Sequence, residues 1–531
     1  MSEPGASEPI RREPTESLLP IRADRFGERE AGHLLRRAGF GGTPDQVRLL
    51  AEWGPERAVD RMLDFESSRD AYPGVGADAF DGTIVREPTP EERRALRAAR
   101  QRQDEAFIER YRMEVQRRQR ADREQIRAMQ RWWLARMIET PRPLEEKLTL
   151  FWHGHFASGY RTVRNSYHMF LQNQLFRSHA AGNFGDLMRG IIRDPAMLRY
   201  LDNNRNRADS PNENLARELM ELFALGEGNY TELDIREGAR ALTGYTYHGN
   251  EFVFNRNAHD TGTKRILGRT GPFDGDGFVG AILARRACAE FVAHELYRFF
   301  VAGVPGPGDP ARRATTRVIE RLGRTLRRAD YELRPVLREL FLSEHFYDPS
   351  VIGSQIKSPV QLVVEAARSL GAPVRDLAVA TAALDRMGQT LFLPPDVDGW
   401  SGGRAWVNTS TLFARQNTLA YLLTGAMPGR AGAGGMGMAD RMRNERDSRG
   451  GAGGSAFDPT LLVETLGAWP LGAAPGPDEI APALLRFVLA VEPGAARVRV
   501  VREFLHEHGV GREGITGALV LLSAMPEYQL C

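Results

Sequence analysis

The residues able to do chemistry fall into a few short segments. Glu145-Glu146-Lys147 is followed, after an apolar stretch, by His153 and His155. Glu218 and Glu221 lie three residues apart beside Arg217, and His259, Asp260 and Lys264 share a polar, Gly-punctuated stretch. Imidazoles and carboxylates are the donors a divalent metal takes, and also the groups that move protons in hydrolysis. The pattern predicts a polar central site for metal-assisted hydrolysis. His153, His155, Glu221 and His259 would hold the metal, with His155 and His259 serving alternatively as acid. Glu218 or Asp260 would be the base and Lys264 an electrophilic clamp. Lys147, Arg217, Trp400 and Trp406 would contact substrate.

Each of these residues also has a plain structural explanation. Glu213, Arg217 and Glu221 have the spacing of an i,i+4 ion-pair ladder. His153 and His155 would diverge on a continuous helix. A helix starting near Pro143 is expected to end around Gly154, which would put His153 and His155 where the chain turns and let them converge on one ligand. A turn rich in Asp, Thr and Gly needs no chemistry, and tryptophans in a Gly/Pro-rich segment often anchor a loop. None of the spacings is as diagnostic as His-Glu-x-x-His. Two competing functions follow: a non-catalytic scaffold or accessory subunit, and a carbohydrate-binding protein presenting Trp400 and Trp406 on one surface.

The elements that must position these groups read as helices. Thr43 before Pro44 is an N-cap followed by proline at the first helical position. Ser210, Pro211 and Glu213 form a capping-box pattern ahead of an amphipathic helix with Leu215, Ala216, Leu219, Met220, Leu222 and Phe223 on its apolar face. Residues 89–138 have no Gly or Pro after Pro90 and read as one long charged helix or two in line. The expected fold is all-α: a leader over 1–24, a main helical domain over 25–424, a Gly-rich disordered linker over 425–456, and a C-terminal helical segment over 457–531 that packs on the body.

Of the 531 residues, 42% are hydrophobic and 26% charged, which excludes a chain disordered throughout. A formal charge of +2, and acids interspersed along the Arg-rich helix, give no reason to expect nucleic acid as a partner. No stretch is long and apolar enough to span a membrane. The first 20 residues lack the apolar core of a secretory signal, which predicts a cytoplasmic protein. No Walker loop, Gly-x-Ser-x-Gly elbow, haem-attachment motif or dinucleotide fingerprint is present. Lys147, Lys264 and Lys357 are the only lysines among 71 basic residues. In a chain that writes Arg almost everywhere, they point to places where a compact ammonium suits better than a planar fork, the alternative being chance retention, since surface Lys and Arg exchange readily.

Taken together the segments resemble a bacterial family, domain of unknown function 1800. The matching stretches are 33–41 (HLLRRAGFG), 143–156 (PLEEKLTLFWHGHF), 182–184, 195–203 (PAMLRYLDN), 211–226, 239–245 (ARALTGY), 259–268, 357–359, 394–400 and 406–415. All three lysines fall inside them, and Tyr245 stands where the family usually has Trp. The resemblance implies a cell-envelope location as an alternative, and a sulfatase-like companion protein as partner. It implies no reaction.

Overall fold

Helix starts follow the capping chemistry of the sequence. Thr43 accepts from the Gln46 amide with Pro44 opening helix Pro44–Leu63, and Thr89 does the same for helix Pro90–Gln101. The computed structural model describes residues 14–68, 79–374, 376–426, 457–466 and 476–531. Among them helices dominate. The strands form two antiparallel hairpins, Tyr245–His248 with Glu251–Phe254 and Lys264–Ile266 with Arg269–Gly271. The all-α expectation holds.

The charged region expected as one rod, or two in line, is instead a helical hairpin. Helix Pro90–Gln101 is followed by helix Glu105–Glu139. Gln103 between them adopts a left-handed φ of 56°, and Arg118 reaches back to within 3.9 Å of Glu92. The left-handed Gln103 turns the chain, and the Asp104 carboxylate then caps the second helix at the Phe107 amide.

Two apolar clusters make up the interior. One gathers helices from 28–63 and 176–351. The other joins Met129 and Trp133 of the long helix to Val360, Leu362 and Leu419, and to Ile480, Leu484, Leu505 and Leu519 from beyond residue 457. Of the expected linker only Gly425 and Ala426 fall among the described residues. Of the expected leader, residues 14–24 lie along the 342–348 segment. The Ile21 amide donates to Leu342 O at 2.8 Å, the Thr15 amide donates to Asp348 Oδ2 at 3.0 Å, and Leu18 and Ile21 are buried.

Helix Pro143–His155 runs between the two clusters. Leu144, Leu148 and Trp152 belong to one, and Leu150 to the other. Its first turn is fixed by buried ions. Glu146 accepts from Trp133 Nε1 at 2.9 Å, from Arg177 Nε at 2.7 Å and from Arg136 Nε. Burial alone would raise the Glu146 pKa, but Arg177 and Arg136 together hold it below the ordinary value. Burial and the charge of Glu146 push Glu145 the other way. A rigid helix base thus sits directly before Lys147.

Candidate functional site

On helix Pro143–His155, Lys147, Leu150, Phe151, Gly154 and His155 recur at helical spacing and line one cavity of about 830 Å³. The opposing wall comes from the 221–227 segment, from Phe291, Glu295, Arg298 and Phe299 of helix Arg286–Phe300, and from the Gly/Pro-rich segment with Asp398, Trp400 and Trp406. Of the residues predicted for a site, Lys147, His155, Glu221, Trp400 and Trp406 therefore share one cavity.

His155 is the most specifically oriented of them. Helix Asn214–Met220 passes into a π-helical turn, Glu221–Leu225, and such turns recur at functional sites because they free backbone groups. His155 Nε2 lies 2.9 Å from Phe223 O within that turn. A carbonyl only accepts, so Nε2 carries the hydrogen and Nδ1 keeps its lone pair. Burial lowers the His155 pKa, with the Glu295 charge opposing, so the ring is neutral near pH 7. Glu221 accepts from Tyr230 OH at 2.7 Å. Glu218 is not on the cavity wall, but burial, then Glu221 and Asp398, raise its pKa.

Other predicted site residues lie elsewhere. The helix continues through His155, so His153 and His155 point apart by roughly two 100° steps instead of converging. His153 Nε2 accepts from the Phe392 amide at 3.1 Å, and its ring packs on Trp133 and Trp400. His259, Asp260 and Lys264 form a separate cluster around the 264–271 hairpin. His259 Nδ1 bonds Thr243 O at 2.8 Å, Asp260 pairs with Arg240 at 2.7 Å, and the Lys264 ammonium donates to Asp260 O and Gly262 O. Arg217 bridges Glu213 and Glu232 and leaves Glu221 to Tyr230. Among the described residues no three His, Cys, Asp or Glu side chains are grouped to hold a metal. The four predicted ligands do not form a set.

The capping box expected at Ser210 is also absent, and the helix begins at Asn214. The buried Asn206 amide explains the delay. Its oxygen accepts from the Asn212 amide at 2.9 Å, while its nitrogen donates to Ala239 O at 2.9 Å, holding the chain in a loop.

Sequence reasoning missed Arg37, Glu295 and Asp398, all on the cavity wall. Arg37 and Asp398 lie within stretches 33–41 and 394–400. Glu295 sits on an ordinary amphipathic helix and carries no local signal. The chain matches, over residues 33–530, the family described as Protein of unknown function (DUF1800). It belongs to this family. No curated protein and no solved structure matches the DUF1800 chain. No helix among its described residues is long and apolar enough to cross a membrane.

The Trp400 segment of this DUF1800 protein is seated on the cavity helix through Gly399. Its φ is +77°, and a Cβ there would meet Gly154 O at 2.2 Å. Gly399→Ala is expected to cost roughly 1–3 kcal/mol from the left-handed backbone alone, with the carbonyl clash added. It should lift Trp400 off the helix. A red shift of tryptophan emission with a lowered melting midpoint checks this, and unchanged values would show that the seat is not tight.

Proposed function

We propose that the central cavity is an acid–base hydrolytic site for a small polar substrate, with His155 as the base. The observation that carries this reading is the oriented, neutral imidazole. Its Nε2–H is fixed on Phe223 O, and among the described residues Nδ1 has no hydrogen-bond partner. In this reading Nδ1 takes a proton from water or a substrate hydroxyl. Glu221 and Asp398 accept from substrate hydroxyls, and Trp400 and Trp406 pack against the substrate's flat or apolar faces. Metal assistance is not part of the proposal, because the donors it would need lie in different parts of the fold.

The test is turnover of a panel of p-nitrophenyl esters and glycosides by the native chain and by His155→Gln. A native rate that survives in His155→Gln would remove His155 from the chemistry. If the native chain turns over no member of the panel, the cavity reverts to a binding site.

Non-catalytic sugar binding is the second reading, favoured by two indoles on one cavity wall beside carboxylates and Arg404. Titration of tryptophan fluorescence with neutral oligosaccharides should then show saturable quenching that Trp400→Ala loses. Quenching retained in that variant would count against it.

A further inference from the structure

One end of the cavity is rich in buried cations and poor in carboxylates. Arg37 and Lys147 are 2% and 6% exposed, and both line it. Beside them lies Glu365, whose ion-pair partners are Lys357 at 2.9 Å and Arg36 at 3.5 Å. Arg415, fully buried, donates to Lys357 O and Gln529 Oε1. Among the described residues neither Arg37 nor Lys147 has a carboxylate at ion-pair distance.

The two cations differ in what surrounds them. Arg37 donates to Phe299 O and Phe300 O, both at 2.9 Å. These carbonyls end helix Arg286–Phe300, so the negative end of that helix offsets the guanidinium. Its third contact is Cys531 Sγ at 2.9 Å. Lys147 has no helix end behind it, and the charges of Cys531 and Glu365 offset its burial only in part. Its ammonium, with three donors, bonds Gln361 Oε1 and sits over the rings of Phe40 at 4.7 Å and Phe299 at 5.7 Å. Buried charge in folded proteins is paired or neutralised, and here the unmet donors border open cavity.

We propose that this end of the cavity binds the oxyanion group of a small-molecule ligand, a carboxylate, sulfate or phosphate, with Lys147 Nζ in direct contact and Arg37 adding positive potential behind it. The proposal rests on the cavity being the ligand site. It extends that reading to a substrate class: a polar molecule with an anionic end. His155 lies eight residues further along the same helix, so the anionic end is separated from the base by about 12 Å along the helix axis. That suits a sugar acid or a short anionic chain better than a single small ion. The retention of lysine here, in an arginine-dominated chain, fits a slot between two phenyl rings that takes an ammonium and not a planar fork.

Burial, then the charge of Arg37, pushes the Lys147 pKa down to about 7, with Cys531 and Glu365 opposing. A bound oxyanion favours the charged amine and must raise that value. Anion affinity must in turn fall as pH rises through it.

The chain contains three lysines, so 13Cε-lysine labelling yields three resonances, assigned by Lys147→Arg and Lys264→Arg. The resonances are titrated with pH at constant ionic strength, with and without acetate, sulfate and inorganic phosphate. The Lys147 midpoint should rise by about one unit or more at saturation, a tenfold preference of the anion for the charged amine. The Lys264 and Lys357 resonances should not respond. Gln361→Glu, which places a carboxylate on the ammonium, should lose the response. In His155→Gln the response should persist, so failure of the hydrolytic reading and failure of this one are read separately. An unmoved Lys147 midpoint with every anion, or equal movement of all three lysines, would overturn the proposal.

Discussion

Glu146→Gln is expected to destabilise the protein by about 3–5 kcal/mol, the range for leaving buried charge without its partner. Glu146 is fully buried, and it is the one carboxylate paired with Arg177 among the described residues. It also receives Trp133 Nε1. Glu145→Gln is the internal control and should cost much less, because burial and Glu146 already raise the Glu145 pKa and penalise its charge. Acid unfolding carries the sign. The folded pKa of Glu146 is depressed, so its contribution is present above the unfolded value and lost as pH falls through the folded one. The variant should therefore show a lower melting midpoint at pH 7 and a flatter acid limb. Equal midpoints for the two glutamine variants would show that the Arg136–Glu146–Arg177 network does not hold the helix base.

His155→Gln should lower kcat by about 10²–10⁴-fold on whichever panel substrate is turned over, with KM little changed, if Nδ1 is the general base. Glutamine retains a donor for Phe223 O, so the π-helical turn is preserved and the loss reports the base. The pH profile follows from burial. Because burial lowers the His155 pKa, the native enzyme should stay active below the ordinary histidine value and lose rate only as pH falls through the lowered one. An acid limb centred above about 6.5, or one that persists in His155→Gln, would assign the titration to another group. Glu218, whose pKa is raised, would be the next candidate.

Local sequence chemistry settles much of the architecture. The caps at Thr43 and Thr89 start their helices where the residues dictate, and of the expected apolar face Leu215, Ala216, Leu219, Met220 and Phe223 are buried while Leu222 is half-buried on the cavity wall. That Lys147, Leu150, Phe151, Gly154 and His155 share one face shows only in the structure, where the helix expected to end around Gly154 continues through His155. Expectations failed where a distant partner competed with a local signal. Asn206 captured the Asn212 amide and moved a helix start. Phe392, 239 residues from His153, donates its amide to that imidazole.

The sequence by itself determined an all-α chain, the family it belongs to, and the start near Pro143 of the helix that carries Lys147, because caps and hydrophobic period act over a few residues. Only the tertiary structure decided which of those side chains share a cavity. Arg37 and Cys531 meet across 494 positions, while His259, Asp260 and Lys264 fold into a network of their own. Convergence of that kind is set by the packing of whole helices and by loops held through distant hydrogen bonds, and neither leaves a period or a spacing in the local sequence.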